Sequence, residues 1–320
     1  MTRKRIAFIG SSEWGLRALG VLTELDDIEV VGAVTNPAIF RISYRPDGVK
    51  NVHHADVPSF CDGQNIPTYM MGTDESMKSE ALLDTLREWR PDYFFALGWY
   101  HVIPAVIRDL APVLGIHYSL LPDYSGGAPL VWALINHEQT VGATLFQLDG
   151  GIDTGPMIGQ IQVEVEEREK IGSLYPRVGE ASLILLRRDL PKYIRGEIVA
   201  EPQNHSVRRV FPQRSPEDGE IDWRTEAKDV DAFIRAQTRP YPGAFSILRG
   251  HLVKVWAATP TVSTHQGPAG HPFQEEGLVL IHCAEGVLRL DEVEIEGAVY
   301  HAEDIAPTLT RDASQLFACP

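Results

Sequence analysis

Apolar runs and amphipathic segments alternate along the first two thirds of the chain. Short apolar runs, typical of buried strands, lie at residues 5–9, 28–35, 93–97, 114–118 and 141–147. Segments with apolar positions at helical spacing lie at residues 14–25, 79–89 and 129–135. Strands and helices in alternation predict an α/β fold, with a Rossmann-like, doubly wound and mostly parallel sheet.

The pattern changes after a long predicted helix at residues 172–188 that continues towards Arg195. Residues 197–222 are polar and rich in turn-forming residues, and one helix is predicted at 227–236. Short apolar strands then follow at residues 244–248, 251–257, 278–282 and 287–294. We therefore expect a Rossmann-like catalytic domain at 1–200 and a smaller C-terminal β-rich domain at 207–320.

Composition narrows the classes of function. The chain has 29 Lys plus Arg against 44 Asp plus Glu, a net charge of −15, so binding of a polynucleotide is disfavoured. Mean hydropathy is −0.12, and no apolar run approaches the ~18 residues that a membrane span needs. The cysteines, Cys61, Cys283 and Cys319, are odd in number and lack a CxxC spacing. This favours a reducing, cytoplasmic compartment and argues against both a disulfide framework and a zinc site.

Residues that could carry chemistry concentrate between positions 114 and 160. His117 lies near the carboxyl end of a predicted strand, where open α/β sheets build their sites. Asp153 lies in a glycine-rich loop after the next strand. A carboxylate beside a histidine can fix its tautomer and raise its pKa, so the two could carry protons as a pair. A histidine at a strand end is also commonly structural, and spacing alone leaves both interpretations open.

Three motifs in this region carry a resemblance to a known family. They are His-x-Ser-Leu-Leu-Pro from His117, Gly-x-x-Pro-x-x-Trp-Ala from Gly126, and Asp-x-Gly-x-Asp-Thr-Gly from Asp149. Together they resemble the 10-formyltetrahydrofolate-dependent formyltransferases, which include methionyl-tRNA formyltransferase and the sugar N-formyltransferases. The resemblance covers almost the whole chain and implies that the C-terminal domain is an OB-like open barrel.

The resemblance also implies a catalytic centre. The family uses an Asn, a His and an Asp, and the last two match His117 and Asp153. The Asn position is occupied by Gly115, which has no side chain to stabilise an oxyanion. Loss of one such donor typically costs about 10²–10³ in kcat. We consider Tyr118, Ser119, His101 and Tyr100 as replacements, beside the possibility of an altered or weak enzyme.

Further site residues are expected from the same resemblance. The donor, 10-formyltetrahydrofolate, is expected to contact Gly98, Trp99, Tyr100, His101, Asp149 and Gly151. The amine substrate is expected to lie against the loop residues Gly115, Tyr118, Ser119, Ser125, Gly126 and Gly127. No metal is expected to take part.

The leading hypothesis is an N-formyltransferase that acts on a primary amine of a small molecule. An amino sugar on a nucleotide carrier is our first expectation, and a hydroxyornithine-type amine is a close competitor. Methionyl-tRNA formyltransferase follows, because the acidic chain is a poor match for tRNA. A protein of another functional class is a further alternative. With Gly115 in place of the family Asn, the chain could be a catalytically silent or hydrolytic folate-binding homologue. We expect no membrane association, and a homodimer is possible.

Overall fold

The computed structural model describes residues 2–42, 45–248 and 251–309. These residues group into two compact units. The first unit comprises the described residues within 1–125, 142–163 and 178–210, and the second comprises those within 126–141, 164–177 and 211–320. The domain boundaries expected from the sequence, 1–200 and 207–320, stay a prediction.

A twisted α/β sheet organises the first unit. The strands of its described residues are β1 (Lys4–Ile9), β2 (Ile28–Thr35), β3 (Ile39–Ile42), β4 (Arg45–Lys50), β5 (Thr68–Met70), β6 (Tyr93–Ala96), β7 (Val113–His117), β8 (Ser125–Gly126), β9 (Thr140–Gln147), β10 (Met157–Glu164) and β11 (Val210–Phe211). The sheet order is β10-β9-β7-β6-β1-β2-β5. Strands β5, β2, β1, β6 and β7 run parallel, and β9 pairs antiparallel to β7. The Rossmann-like, mostly parallel sheet expected from the sequence is confirmed.

The helices of the described residues are spread over both units. They are α1 (Glu13–Glu24), α2 (Val57–Gln64), α3 (Glu80–Trp89), α4 (Ala105–Arg108), α5 (Pro129–Ile135), α6 (Ile171–Ile194), α7 (Ala227–Gln237) and α8 (Ala302–Leu309). Local sequence explains where two of them begin, because the side chains of Ser12 and Ser79 cap the first turns by accepting from Gly15 N and Leu82 N. The single long helix α6 covers the predicted helix at 172–188 and its continuation towards Arg195.

The core of the first unit lies where the parallel strands meet their helices. Phe8, Phe94 and Phe95 are fully buried, as their apolar runs predicted. Helix α3 turns Leu82 and Leu86 into the cluster that contains Phe94, since residues four apart lie on one helix face. The strand ends are held in place by this packing, and the candidate site lies directly after two of them.

A β-hairpin after β2 was not expected from the sequence. Strands β3 and β4 pair antiparallel between Ile39 and Lys50, a segment that mixes apolar and charged residues without clear alternation. Asn51 follows the hairpin and is buried, and its amide donates to the backbone carbonyl of Ser11 at 3.1 Å. The hairpin is thus tied to the turn after β1.

The second unit contains an antiparallel sheet. Its strands are β12 (Ala244–Leu248), β13 (His251–Thr261), β14 (Pro272–Glu275), β15 (Leu278–His282), β16 (Val287–Ile295) and β17 (Ala298–His301). The order is β12-β13-β16-β15-β14, with β17 paired to β16. Trp223 is buried beside Ile234 of α7 and Leu290 of β16, so helix and sheet share one core. The expected β-rich C-terminal domain is confirmed.

Two further expectations concern cysteines and membranes. Cys61 and Cys283 are buried free thiols, while Cys319 lies outside the described residues. Burial raises the pKa of Cys283 to about 12. In the described part of the chain, every helix is too short or too polar to cross a bilayer.

Candidate active site

A cavity of about 320 Å³ lies at the carboxyl ends of β6 and β7. This is the edge of the sheet at which open α/β folds build their sites. It brings together residues from three segments that the sequence singled out. Its lining comprises Ala96, Leu97, Gly98, Trp99, His101, Val102, Ile103, Arg108, Gly115, Ile116, His117, Phe146, Leu148, Asp149, Gly150, Gly151, Ile152 and Asp153. We call it the catalytic cavity.

His117 is the last residue of β7, and its ring is oriented by the backbone. Its Nε2 lies 2.9 Å from the carbonyl oxygen of Tyr124. A carbonyl oxygen only accepts, so Nε2 carries the proton and donates it to this bond. In the neutral ring, Nδ1 is therefore unprotonated and available as a base.

The carboxylate of Asp153 faces the other nitrogen of the same ring. Its Oδ2 lies 3.8 Å from His117 Nδ1, which is beyond hydrogen-bond distance but close enough for a strong charge interaction. The two side chains are 13% and 21% exposed. The carboxylate therefore faces the ring nitrogen that does not bond to Tyr124.

The loop that carries Asp153 is fixed by hydrogen bonds within the first unit. Asp153 has a left-handed φ of 53°, which Asp tolerates better than most residues. The amide of Gln203 donates to the carbonyl oxygens of Asp153 at 2.9 Å and Gly155 at 2.7 Å. Asp149 Oδ1 accepts from Gly151 N at 2.9 Å and from Thr154 Oγ1 at 2.6 Å. The carboxylate at position 149 thus closes the turn instead of pointing freely into the cavity.

Gly98 is required by the fold itself. It has a φ of 66°, and a Cβ there would lie 1.7 Å from Ser12 Oγ. The turn after β6 thereby packs directly against the turn after β1. Its glycine allows this close approach whether or not a ligand is bound.

Gly115 has its own local explanation. A Cβ at this position would lie 2.8 Å from Leu148 Cδ1 and 3.2 Å from the carbonyl oxygen of Ala96. The Leu148 side chain therefore takes up the space into which a side chain at position 115 would project. Glycine at position 115 and leucine at position 148 form a complementary pair.

Three buried side-chain nitrogens in the described residues that line this cavity have no hydrogen-bond partner within the protein. They are Trp99 Nε1, His101 Nε2 and Arg108 Nε. Burial lowers the pKa of His101, so the ring is neutral at neutral pH. Buried polar nitrogens normally have hydrogen-bond partners, so these three are candidates for contact with a bound molecule.

The remaining residues expected at the site lie elsewhere in the same unit. Tyr118 is buried, its hydroxyl 3.5 Å from Ser182 Oγ, and burial raises its pKa to about 12. Ser119 donates to the carbonyl oxygen of Asp123 at 2.7 Å, and Tyr100 donates to Asn51 Oδ1 at 3.2 Å. Ser125 Oγ donates to the carbonyl oxygen of Pro122 at 3.1 Å. These four stay outside the cavity lining.

Gly126 and Gly127 belong to the second unit. A Cβ at Gly126 would lie 2.2 Å from the carbonyl oxygen of Phe211, and one at Gly127 would lie 2.3 Å from Gln213 Cα. Both glycines therefore permit a close approach of the 211–213 segment. Their assignment to the amine substrate stays a prediction.

Sequence reasoning missed several residues that shape the site. Arg208 Nε donates to Ser125 Oγ at 3.1 Å, and its Nη2 donates to the carbonyl oxygen of Ile152 at 2.5 Å. It therefore joins the loop after β7 to the loop that carries Asp153. Arg208 and Gln203 are distant in sequence from the motifs, and the Tyr124 carbonyl is backbone, so no pattern signalled them.

The described part of the chain contains no evident metal-binding site. No cluster of three or more side chains of His, Cys, Asp or Glu is arranged there to hold an ion. The adjacent His53 and His54 belong to no such cluster, and His54 Nε2 lies 3.1 Å from the carbonyl oxygen of Asn36.

Comparison with known proteins agrees with this arrangement. The profile described as Formyl transferase matches residues 4–190, and the profile described as Formyl transferase, C-terminal domain matches residues 214–308. The chain belongs to the formyl transferase family. The prediction from the motifs that the chain is a formyltransferase is therefore confirmed. Enzymes of this family use 10-formyltetrahydrofolate as the formyl donor.

One curated relative aligns along nearly the full chain. It is a methionyl-tRNA formyltransferase of Alkaliphilus oremlandii, 28% identical over 297 residues, which are 92% of this chain and 92% of the relative.

Solved structures share the fold at low identity. HypX from Aquifex aeolicus in complex with tetrahydrofolic acid has a TM-score of 0.63 and 17% identity, and the match covers 99% of this chain and 51% of HypX. This chain thus spans about half the length of HypX. The N-formyltransferase from Helicobacter canadensis, solved with folinic acid and dTDP-3-aminofucose, has a TM-score of 0.63 and 16% identity. That match covers 94% of this chain and 100% of the relative.

Proposed function

We propose that this protein transfers the formyl group of 10-formyltetrahydrofolate to a primary amine of a small molecule. The observation that carries the proposal is the pair of His117 and Asp153 at one cavity, with Nδ1 of the histidine left unprotonated by the bond from Nε2 to Tyr124. Family membership supports the same reaction class.

The proton chemistry follows from the two nitrogens of the ring. The amine must lose a proton as it attacks the formyl carbon, and His117 Nδ1 is the base that takes it. Asp153 stabilises the resulting imidazolium through its charge, at 3.8 Å. The imidazolium then returns the proton to the departing folate nitrogen. The sequence-based expectation that Asp153 orients the ring is thereby refined, because a backbone carbonyl already orients it.

The residues of the cavity fit a reduced folate. The unpartnered nitrogens of Trp99 and Arg108 are donors, and Nε2 of the neutral His101 donates or accepts according to its tautomer. A pterin ring offers both acceptors and donors along its edge. Gly98 and Gly151 carry no side chains that could obstruct the approach. The volume of about 320 Å³ suits the ring portion of the donor, which supplies the formyl carbon when bound.

The absence of a side-chain donor at Gly115 gives His117 a larger share of catalysis. After protonation, the His117 ring can help to stabilise the oxyanion, and Arg108 adds a positive charge in the same cavity. Tyr118 and Ser119 lie outside the cavity lining, which leaves His101 as the only candidate substitute from the sequence that lines it.

An amino sugar on a nucleotide carrier is the amine that we propose first. A solved relative binds dTDP-3-aminofucose, and the net charge of −15 suits a small substrate better than a polynucleotide. A hydroxyornithine-type amine is the competing small substrate. We propose a cytoplasmic location, which the buried free thiols of Cys61 and Cys283 support.

A second candidate is methionyl-tRNA formyltransferase. The relative from Alkaliphilus oremlandii favours it, since that enzyme aligns over 92% of both chains. The net charge of −15 argues against it, and the two candidates differ in the acceptor alone.

The test is a panel of acceptors offered to the purified protein with 10-formyltetrahydrofolate. The panel contains amino sugar nucleotides, hydroxyornithine and charged initiator tRNA, and formyl transfer is followed by mass. Formylation of a small amine supports the proposal, and formylation of tRNA alone favours the second candidate. Release of formate without any acceptor indicates a hydrolase, and absence of folate binding would contradict the proposal.

A further inference from the structure

The carbonyl group that orients His117 belongs to a residue with an unusual backbone. Tyr124 has a left-handed φ of 53°, and it is buried. Bulky residues rarely adopt this conformation, so the surrounding structure must hold Tyr124 in it. The direction of its carbonyl oxygen, and with it the 2.9 Å contact to His117 Nε2, therefore depends on the groups that hold this turn.

Arg209 holds the turn through three kinds of contact. Its Nε donates to Asp123 Oδ1 at 2.6 Å and its Nη2 donates to Asp123 Oδ2, so the ion pair is bidentate. Its guanidinium covers the ring of Tyr124, with Cζ 4.7 Å from the ring centroid. Its backbone carbonyl oxygen accepts from Ser125 N at 3.1 Å. We call these contacts, all within the first unit, the Arg209 clamp.

The backbone contact acts on the same peptide group that faces the histidine. Ser125 N and the Tyr124 carbonyl belong to one planar trans peptide, so the N–H and the C=O point in opposite directions. Arg209 binds the N–H end, and His117 Nε2 lies at the C=O end. The preceding peptide is fixed as well, because Asp123 Oδ1 also accepts from Tyr124 N at 2.9 Å. The Arg209 clamp therefore fixes both peptide groups of Tyr124.

The ion pair of the Arg209 clamp should matter for geometry more than for stability. The side chains of Arg209 and Asp123 are 50% and 32% exposed, and ion pairs with this exposure contribute little to the free energy of unfolding. A bidentate guanidinium that also stacks on an aromatic ring nevertheless fixes an orientation, which a lysine ammonium does not.

The orientation of the Tyr124 carbonyl decides where the neutral ring of His117 carries its proton. The Asp153 carboxylate lies 3.8 Å from Nδ1 and favours a proton on that nitrogen. The Tyr124 carbonyl oxygen lies at Nε2 and only accepts, so it favours the proton there. If the turn lost its orientation, the carboxylate would draw the proton onto Nδ1, and the proposed base would be blocked.

We propose that Arg209 is a positioning residue for His117, because it holds the Tyr124 carbonyl at Nε2 and so keeps Nδ1 unprotonated. The inference rests on the proposed function, in which Nδ1 accepts the proton of the amine. Arg209 lines no part of the catalytic cavity, so it acts through Tyr124 and not by contact with a substrate.

The experiment observes the tautomer directly, by nitrogen NMR of the full-length protein with ¹⁵N-labelled histidine. Spectra are recorded at mildly alkaline pH, where histidine is neutral. The signals of His117 are assigned by their loss in His117→Gln. In the wild type, the two ring nitrogens should have widely separated shifts, as in a single tautomer. In Arg209→Ala the separation should shrink, because part of the population carries the proton on Nδ1.

Kinetics on the same samples separate positioning from binding. Arg209→Ala should lower kcat by about tenfold and leave folate affinity and the KM of both substrates within about twofold, since only orientation is lost. Asp123→Asn removes the charge but keeps an oxygen for Tyr124 N, and it should lower kcat to a similar extent. The double variant should lose little more than the worse single variant, because the two side chains act as one pair.

Two further variants serve as controls. Arg209→Lys keeps the positive charge without the planar fork, so it should recover only part of kcat. Arg87→Ala removes an ion pair of similar exposure in the same unit, with Asp84 at 2.7 Å, outside the cavity lining. It should leave the ring signals and kcat unchanged. Thermal unfolding shows whether each variant is folded, and Asp123→Asn and Arg209→Lys carry the comparison if Arg209→Ala is not.

The possible failures are distinguishable. If Arg209→Ala has the ring signals and the kcat of the wild type, the inference is wrong and the proposed function stands. A lower kcat with unchanged ring signals also contradicts the inference, because Arg209 then acts by another route. If the ring signals change and kcat does not, the Arg209 clamp is supported but Nδ1 is not the base. If the wild type formylates no amine, the proposed function fails, while the ring signals still test the Arg209 clamp.

Discussion

The imidazole of His117 is oriented by the carbonyl of Tyr124, while Asp153 lies within charge-interaction distance of the other nitrogen. The motifs predicted both side chains, because each lies at or after a strand end in a recognisable pattern. They could not predict the role of Tyr124, since every residue has a carbonyl and only the folded loop decides where it points.

The Asp153 carboxylate should contribute to catalysis chiefly in the step in which His117 carries a positive charge. Asp153→Asn keeps the size of the side chain but removes the charge, so we expect kcat to fall by about 10²-fold or more with folate binding retained. A double variant with His117→Ala should lose little more than the worse single variant, because the two groups act as a unit. Single-turnover formyl transfer measures this, and additive losses would mean independent roles.

Gly115 and Leu148 should behave as a pair. Gly115→Asn places a Cβ 2.8 Å from Leu148 Cδ1, so the single change should destabilise the protein by about 1–3 kcal/mol and slow transfer. Combined with Leu148→Ala, the amide gains room and adds an oxyanion donor, so the rate should exceed that of Gly115→Asn by about tenfold or more.

The control for this pair is Gly115→Ala with Leu148→Ala, which has the same Cβ and the same space but no amide. Thermal unfolding and kcat are measured for all of these variants. If the Asn pair is no faster than the Ala pair, the missing amide does not limit the enzyme.

At the scale of elements, the loop after β9 depends on a distant glutamine. Gln203 is buried and donates to the carbonyl oxygens of both Asp153 and Gly155. Gln203→Leu removes both bonds at similar size, so Asp153 should lose its fixed position and kcat should fall by roughly tenfold.

The matched control for this loop is Asn204→Ala, an exposed neighbour that bonds Ser206 and not the loop. Amide hydrogen exchange of residues 149–155 should rise in Gln203→Leu alone. Unchanged exchange together with unchanged kcat would show that the loop holds its shape without Gln203.

His282 of β15 should make the free energy of unfolding of the second unit depend on pH. Burial and the neighbouring His265 and His271 lower the pKa of His282 below its usual value of 6.5. The unfolded chain therefore binds this proton more readily, so the free energy of unfolding should fall as pH drops below about 6.5, by up to ~1.4 kcal/mol per pH unit.

The variant His282→Gln should flatten this slope. His265 Nδ1 lies 3.0 Å from His282 Nε2, and a glutamine amide can replace the ring as its partner. Denaturant unfolding measured between about pH 5 and 7.5 checks the slope. An equal pH dependence in the wild type and the variant would assign the acid sensitivity to other groups.

The elements that the sequence predicted best are the regular ones. Apolar runs located β1, β2, β6, β7 and β9 closely, because burial on both faces leaves a continuous signal. The hairpin of β3 and β4 was missed because its strands pair with each other and not with the main sheet, so their pattern is weak. Arg41 and Ile42 of β3 also line a cavity of about 920 Å³ in the first unit. Because β3 was missed, that cavity could not have been predicted either.

At the scale of the whole molecule, the charge of −15 should exclude useful binding of tRNA. Specific protein complexes with nucleic acids reach ~10⁻⁸ M or tighter, and acidic surfaces oppose them. A gel shift with initiator tRNA should therefore show no complex at nanomolar protein and physiological salt. A salt-resistant complex would promote the tRNA enzyme over the small-molecule enzyme.

The family and the fold class of the whole chain could be predicted from the sequence. Motifs and alternating elements are spread over both segments that match the formyl transferase profiles, residues 4–190 and 214–308. The identity of the amine could not, since it depends on surface side chains that no motif constrains. Single positions follow the same rule: Tyr118 and Ser119 lie beside His117 in sequence but bury their side chains away from the cavity lining.

The most direct test of the central claim is the single-turnover rate of formyl transfer by the wild type and by His117→Ala, with 10-formyltetrahydrofolate and the best amine of the panel both saturating. Folate binding is measured on the same samples. If Nδ1 takes the proton of the amine, the variant should bind folate normally and transfer the formyl group at least about 10²-fold more slowly. Near-normal transfer by His117→Ala with folate bound would contradict the assignment of His117 as the catalytic base.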